Sequence, residues 1–233
     1  MRKSTDQTGL PWKIFQHLED LDFADDICLL SEKKEHVQTK LNKVSQTAAM
    51  VGLKVNYNKT KILAINSERP ISISLNNNQI EQVKAFNYLG STVTETGGSE
   101  EDIKTRIGKA YGAFATLGNI WRSREISEKP KIRLFNSNIL SVLLYGCESW
   151  RVTKTNTSKL QVFINKCLRK ILKVYWPDKI SNEELWKRTD AKNVETTIKE
   201  RKWKWIGHNL RKKDGSISKE ILDWNPQGTR KRG

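Results

Sequence analysis

The chain has 233 residues, enough for one large or two small domains. Hydrophobic residues make up 36% of it, which is low but sufficient for a core, and charged residues make up 29%, which indicates a very polar surface. No apolar run approaches the roughly 20 residues that span a membrane, and the first residues lack the apolar segment of a secretory signal. We therefore expect a soluble intracellular protein, nuclear or cytoplasmic, with no membrane partner.

Positive charge is concentrated in the last third of the chain. The formal net charge is +16, of which +3 falls in residues 1–150 and +13 in residues 151–233. This asymmetry indicates a polyanionic partner, most simply nucleic acid. A solvated helical surface that is merely rich in lysine is the alternative.

The three cysteines, Cys28, Cys147 and Cys167, lie far apart and within apolar runs. Their spacing predicts buried free thiols, as in a reducing compartment. The three histidines do not stand at zinc-finger spacing from any cysteine.

Residues 1–17 show no clear period and are expected to enter the first strand from a loop. In the stretch Leu21–Leu30, two short apolar runs flank the adjacent acids Asp25 and Asp26, a pattern typical of a strand–turn–strand hairpin. Adjacent carboxylates repel one another unless they are exposed or neutralised by a divalent cation. The alternatives are therefore a polar turn and a Mg²⁺ site for phosphoryl transfer.

An amphipathic helix follows the hairpin. Ser31 can cap it, and Gly52 stands where a C-terminal glycine is expected. Its apolar face is Val37, Leu41, Val44 and Ala48.

Several short strands are expected next, forming a small antiparallel sheet on which the helix packs. The predicted strands are Leu53–Tyr57, Lys61–Ile65, Ile71–Leu75, Gln79–Val83 and Ala85–Val93. Asn58-Lys59 and Asn76-Asn77-Asn78 supply turns, and Glu95–Gly98 is a loop. Lys59 and Lys61 are candidates for phosphate contact, although solvated turn lysines explain them equally well.

The pattern changes to helix after Gly98. Ser99 and Asp102 approximate a capping box, and Pro130 predicts the start of a second helix. Three apolar stripes at helical spacing predict a bundle. They are Ile103, Ile107, Ala110, Phe114 and Leu117; Ile132, Phe135, Ile139 and Val142; and Leu160, Phe163, Cys167, Ile171 and Val174.

Basic residues mark two of the later helices. On the third helix, Lys166, Arg169, Lys170 and Lys173 form a stripe, with Lys159 further back, that suits a duplex backbone. Further helices are predicted at Asn182–Arg188 and Glu195–Arg211. In the latter, Lys202, Trp203 and Lys204 combine cations with a ring that could stack on a base. Alternatively, Trp203 is exposed without a role and Trp205 belongs to the core.

Several segments resemble motifs of one family. Phe23-Ala24-Asp25-Asp26 resembles the catalytic box of reverse transcriptases, in the form common among non-LTR retrotransposons. The segments that resemble later regions of these elements, in the same order, are Gly52–Asn56 with Asn58–Lys61, Phe86–Gly90, and Lys202–His208 with Asp223–Pro226. The chain thus resembles the C-terminal part of a LINE-type endonuclease–reverse transcriptase.

The resemblance implies an α+β fold in three parts. Residues 1–98 would be a partial palm, 99–178 a helical thumb-like bundle, and 179–233 a basic helical region whose tail, Thr229–Gly233, is disordered. Asp25 and Asp26 would be catalytic and bind Mg²⁺.

The resemblance also implies roles in binding. Tyr88, Leu89 and Gly90 would support the primer end. The partners would be an RNA template, a DNA primer or their hybrid.

Family members take a third carboxylate from a motif upstream of the aspartate box. Asp6, Glu19, Asp20 and Asp22 do not match the context of that motif. The fingers and endonuclease segments of the family are not matched either. We therefore expect this chain to be a polymerase fragment that is inactive alone and holds Mg²⁺ weakly. The alternative is a non-catalytic nucleic-acid-binding module derived from such an element.

Overall fold

The structure is a computed structural model that describes residues 20–65, 70–175, 177–220 and 222. The expected entry loop before residue 18, the segment Asp223–Pro226 and the expected disordered tail Thr229–Gly233 lie outside these residues. The described residues group into two compact units. One contains residues up to 89, 94–96 and those from 206 onwards, and the other contains 90–93 and 97–205.

The first unit begins with the predicted hairpin and helix, and both are confirmed. Strands β1 (Asp20–Phe23) and β2 (Asp26–Leu29) pair antiparallel, and helix α1 spans Lys34–Met50. The N-cap is Lys33 rather than Ser31, whose hydroxyl instead accepts the Lys33 N–H at 3.4 Å. A small core holds this unit together, formed by Leu41, Ile73, Leu75 and Ile80.

The strands expected after α1 are mostly wrong. Between Leu53 and Ile65 the chain forms no strand, and only Ile62 makes an isolated bridge, to Gln82. Asn56 explains this, because its side chain accepts the Lys59 N–H at 3.2 Å and its carbonyl accepts the Thr60 N–H at 3.0 Å. Such local bonds stabilise a turn in competition with a ladder.

Two short hairpins replace the single expected sheet. Strands β3 (Ser74–Leu75) and β4 (Asn78–Gln79) pair antiparallel across Asn76 and Asn77, which both have positive φ, as the predicted asparagine turn allows.

The expected single strand Ala85–Val93 is also wrong. It is divided into β5 (Ala85–Tyr88) and β6 (Ser91–Thr94). Leu89 and Gly90 both have positive φ, so the chain reverses there.

The second unit is helical, as predicted, and it has the larger core. Its elements are α2 (Glu100–Thr116), α3 (Gly118–Arg122), α4 (Glu128–Leu134), α5 (Ser141–Leu143), α6 (Lys154–Ile171), α7 (Asn182–Thr189) and the first part of α8 (Val194–Leu210). A short helix α9 (Ile217–Glu220) belongs to the first unit. All three predicted apolar stripes face a core, which is formed chiefly by Ile103, Phe114, Trp121, Phe135, Ile139, Leu160, Ile171, Leu185 and Ile198.

Two details of this unit were not predicted. Helix α4, expected to start at Pro130, begins two residues earlier at Glu128. The segment Phe135–Leu140, between α4 and α5, is π-helical. Helices α7 and α8 contribute Leu185 and Ile198 to the same core as α2 and α6. The three predicted domain ranges stay predictions.

The predicted capping box at the start of α2 is wrong. Ser99 is the N-cap, but its hydroxyl accepts the Arg151 N–H at 2.8 Å instead of a helix N–H. Asp102 is buried, and its carboxylate accepts the Thr92 N–H at 2.9 Å and the Trp150 indole N–H at 2.7 Å. The acidic residue is thus used to join segments, not to cap its own helix.

No helix among the described residues is long and apolar enough to cross a membrane. The three cysteines are free, as predicted; Cys147 and Cys167 are buried and Cys28 is half-buried.

Candidate functional site

The aspartate pair lies at the tip of the first hairpin. Ala24 and Asp25 form the turn, and Phe23 pairs with Asp26 at the ends of the two strands. Ala24 has a φ of +54°, an uncommon conformation for a residue with a Cβ, which a tight two-residue turn requires. Asp25 and Asp26 are both exposed, so their carboxylates face solvent.

The two faces of the hairpin differ. Cross-strand partners point to the same side, so Asp26 shares a face with Phe23, whereas Asp22 shares the opposite face with Ile27. Leu29, at the far end of β2, packs against the core of the first unit. The hairpin is therefore anchored at its base and open at its tip.

Tyr88 connects the predicted primer-end segment to this hairpin. Its hydroxyl donates a hydrogen bond to the Leu21 carbonyl at 2.7 Å, across 67 positions of the sequence. Desolvation raises the pKa of Tyr88, and the negative charges that Cys28, Asp26 and Asp22 can carry raise it further. The Tyr88 phenol therefore lies close enough to the acids of the hairpin to sense their charge.

The next residues of that segment form the turn between β5 and β6. Leu89 has a φ of +48° and Gly90 a φ of +83°. The Gly90 carbonyl accepts a hydrogen bond from Arg106 Nη2 at 2.7 Å. Tyr88 and Gly90 are each held by a specific bond, to Leu21 and to Arg106.

The oxygen donors at the tip suit Mg²⁺ in type. Mg²⁺ is commonly held by one or two carboxylates while waters and substrate phosphates complete its shell. Asp25 and Asp26 supply two such carboxylates. Among residues 20–65, 70–175, 177–220 and 222, no three acidic, histidine or cysteine side chains converge as a metal cluster.

Lys59 and Lys61 lie in the first unit, and they differ in their surroundings. Lys59 is exposed in the turn after Asn56. The Lys61 ammonium is paired with the Glu81 carboxylate, and its side chain is only 26% exposed. Lys59 is therefore the more accessible of the two for a phosphate.

The stripe predicted on α6 is only partly an outer face. Arg169 is half-buried, and its guanidinium donates to the Ile180 carbonyl at 3.3 Å and to Asn182 Oδ1 at 2.8 Å. Lys166 and Lys170 are exposed, and Lys173 is exposed two residues beyond the end of the helix. Arg169 thus joins α6 to α7, and Lys166, Lys170 and Lys173 are the exposed cations of this stripe.

The basic residues of α8 divide in the same way. Lys202 is half-buried and donates to the Trp150 carbonyl, whereas Lys204 is exposed. Trp203 is 70% exposed and Trp205 43% exposed, so the alternative that places Trp205 in the core is wrong. Trp203 and Lys204 are therefore accessible to a ligand, and Lys202 is used inside the unit.

The sequence did not reveal the buried residues that hold the Gly90 turn and the start of β6 in place. Asp102, Arg106 and Trp150 form a buried cluster, in which Arg106 also lies 4.4 Å from the centre of the Tyr145 ring. The only signal was an aspartate near a helix start, and this pattern is far more typical of a cap.

Comparison with known proteins supports a reverse-transcriptase-like origin for part of the chain. Residues 13–93 match the family model of reverse transcriptases (RNA-dependent DNA polymerases), and this segment contains both the aspartate hairpin and Tyr88. Residues 113–145 match a family described as a domain of unknown function, DUF6451.

A curated relative indicates a transposon origin. The chain is 26% identical over 219 residues to a Caenorhabditis elegans protein described as transposon-derived, covering 91% of this chain and 78% of that protein. No solved structure matches the chain significantly. Together the matches support a reverse-transcriptase-like, transposon-derived origin.

Proposed function

We propose that this chain is the part of a non-LTR, LINE-type reverse transcriptase that carries the catalytic aspartate hairpin, followed by a helical unit that binds nucleic acid. One observation carries the proposal. Within the segment that matches reverse transcriptases, the tip of a hairpin presents Asp25 and Asp26 to solvent, and Tyr88 of the Phe-Asn-Tyr-Leu-Gly segment is bonded to the same hairpin.

In this proposal Asp25 and Asp26 hold Mg²⁺ together with water and the phosphates of a nucleotide. The metal would neutralise charge on the phosphoryl oxygens during transfer to a primer 3′-hydroxyl. The chain's own residues do the positioning. The Leu29 end of the hairpin fixes its base, Tyr88 fixes strand β1, and the turn at Leu89 and Gly90 supports the primer end.

The nucleic acid would be an RNA template, a DNA primer or their hybrid. Accessible cations on the helical unit and the net charge of +13 over residues 151–233, which extend beyond that unit, supply the attraction. Contacts of this kind are made to the phosphate backbone, so we expect little sequence preference.

Two carboxylates at the tip are fewer than the three that polymerases of this kind use. We therefore expect the 233-residue chain alone to show no template-dependent synthesis, since loss of a metal ligand removes on the order of several kcal/mol of transition-state stabilisation. Primer extension on an RNA template with purified protein and Mg²⁺ measures this. Extension that disappears in Asp25→Ala would overturn this part of the proposal.

The second candidate is a nucleic-acid-binding module without catalysis. The observation that favours it is that the exposed cations Lys166, Lys170 and Lys204 lie on the helical unit, whereas strands β1 and β2 carry no lysine or arginine. Both candidates require salt-dependent binding to nucleic acid. Only the first requires Asp25 and Asp26 to bind Mg²⁺, so a cation titration of the hairpin separates them.

A further inference from the structure

The C-terminal end of α6 places a lysine where helices usually place glycine. Lys173 has a φ of +56°. The Val174 N–H donates to the Arg169 carbonyl at 3.0 Å and the Lys173 N–H donates to the Lys170 carbonyl at 3.3 Å. These are the two bonds of a Schellman motif, whose left-handed position disfavours any residue with a Cβ.

Helix α1 ends in the same motif with the usual residue. The Leu53 N–H donates to the Ala48 carbonyl at 2.8 Å and the Gly52 N–H to the Ala49 carbonyl at 3.1 Å, with a φ of +77° at Gly52. The two helix ends have the same backbone bonds but differ in the residue at the left-handed position. Backbone strain of this kind persists where something else favours the residue, often a function.

Packing does not explain Lys173, because its side chain is exposed. Its ammonium lies 3.5 Å from the Ser123 carbonyl, just after the end of α3. The buried Lys131 donates to the same carbonyl at 2.6 Å and to the Trp121 carbonyl at 3.2 Å. Two ammonium groups therefore converge on one carbonyl oxygen.

A third ammonium, that of Lys170, lies over the ring that stacks on Trp121 of α3. Lys170 Nζ is 5.7 Å from the centre of the Phe114 ring, and Phe114 stacks on Trp121 at a centroid distance of 5.0 Å. Arg124, exposed, follows Ser123 directly, and Glu125 is the acid of the same loop. The ammonium groups of Lys131 and Lys173 thus meet at the Ser123 carbonyl, and the exposed Arg124 is the next residue of that loop.

We propose that Lys170, Lys173 and Arg124 form one binding site for a phosphate of a nucleic-acid backbone. The proposal deepens the nucleic-acid binding proposed above and rests on it. Lys131 is buried and already bonded, so it contributes a structural role and positive potential rather than a contact. The Ser123 carbonyl accepts from only one of the three N–H donors of the Lys173 ammonium. The remaining donors, with those of Lys170 and Arg124, can donate to phosphate oxygens.

The test compares Lys173→Gly with the unaltered protein, in fluorescence anisotropy with a labelled DNA duplex from roughly 50 to 300 mM salt. Glycine removes the cation and also relieves the left-handed strain. We expect the slope of log K against log salt to become shallower by about 1. We also expect the melting temperature to stay the same or rise by about 2 °C.

The matched control is Lys154→Gln, which alters an exposed lysine at the start of the same helix, about 28 Å from Lys173. Lys173→Gly and Arg124→Gln should each flatten the slope, and Lys154→Gln should change it less. Equal slopes in all three variants would mean diffuse charge and overturn the site. A lower melting temperature in Lys173→Gly would refute the strain argument, and Arg124→Gln, a loop change, would then decide the contact.

The outcomes also separate this site from the proposed function. Salt-dependent binding that none of these variants alters overturns the site and leaves the function standing. If the unaltered protein shows no salt-dependent binding, both fail.

Discussion

Replacement of Asp102 by alanine should destabilise the helical unit more than any surface change. The carboxylate accepts two hydrogen bonds, from the Thr92 N–H and the Trp150 indole, and its Oδ1 lies 3.9 Å from Arg106 Nε. The side chains of Asp102 and Arg106 are only 4% and 6% exposed. Removing one member of a buried pair leaves the other charge uncompensated, which costs about 3–5 kcal/mol of the free energy of unfolding.

Glu101 provides the matched control on the neighbouring position. It is exposed and pairs with Lys104 at 3.7 Å, with exposed fractions of 58% and 79%. Such a surface pair contributes at most about 1 kcal/mol, so Glu101→Ala should be nearly silent. Trp150→Phe removes one hydrogen bond to the buried carboxylate and should fall between the two, at about 1.5–3 kcal/mol.

Urea unfolding followed by the helical circular dichroism signal measures these differences. The expected order of destabilisation is Asp102→Ala, then Trp150→Phe, then Glu101→Ala. If Asp102→Ala costs no more than Glu101→Ala, the buried cluster does not hold the unit together and the reasoning is wrong.

Three further predictions follow from contacts in the structure. Tyr88→Phe should speed amide hydrogen exchange in β1 and β2 by about 3–10-fold, because one hydrogen bond of about 0.5–1.5 kcal/mol is lost. The control is Tyr57→Phe, which removes the phenol bond to the Gln79 carbonyl and should leave exchange in that hairpin unchanged. Burial raises the pKa of Cys147 to about 11 and that of Cys167 to about 12, so a thiol reagent near neutral pH should label half-buried Cys28 first; labelling of all three at one rate would contradict this. Because both buried thiols have a pKa above the value of an unfolded thiol, the unfolded chain binds fewer protons at alkaline pH. The free energy of unfolding should therefore fall as the pH rises from about 9 towards 11, and a Cys147→Ala, Cys167→Ala double variant should lose that part of the pH dependence.

The helical elements could be predicted well because their signal is local. Ile103, Ala110 and Phe114 repeat at helical spacing and all three are buried. The hairpin was equally clear, since two apolar runs enclose one acidic turn. In each case neighbouring residues decide the structure.

The predictions of the strands after α1 were wrong for the opposite reason, since their structure depends on residues outside the local pattern. Ile71–Leu75 alternates strictly, yet only Ser74 and Leu75 form a strand, since a ladder needs a partner that the local pattern does not reveal. The side chain of Asn56 stabilises a turn at the end of Leu53–Tyr57, a segment that contains residues of high β-propensity. Propensity was overridden by local hydrogen bonding.

The candidate site was predictable in its acids but not in its supports. Asp25 and Asp26 stand out in the sequence, whereas the bond from Tyr88 to Leu21 joins residues 67 positions apart. Lysine content predicted an accessible basic surface, but charge alone does not distinguish Lys204, which is exposed, from Lys202, which bonds to a carbonyl inside the unit. The structure is needed to tell which cations bond to groups inside the protein and which remain exposed.

We propose that Asp25 and Asp26 at the tip of the hairpin bind Mg²⁺. The most direct test is a Mg²⁺ titration followed by NMR of the backbone amides of β1 and β2. We expect saturable shifts at Asp25 and Asp26 with a millimolar midpoint, since two carboxylates leave most of the cation's shell to water. The shifts should be lost in Asp25→Asn and kept in the control Asp20→Asn, which alters an acid of the same hairpin at its base. Amides that do not respond up to about 20 mM Mg²⁺, or that respond equally in both variants, would contradict the claim.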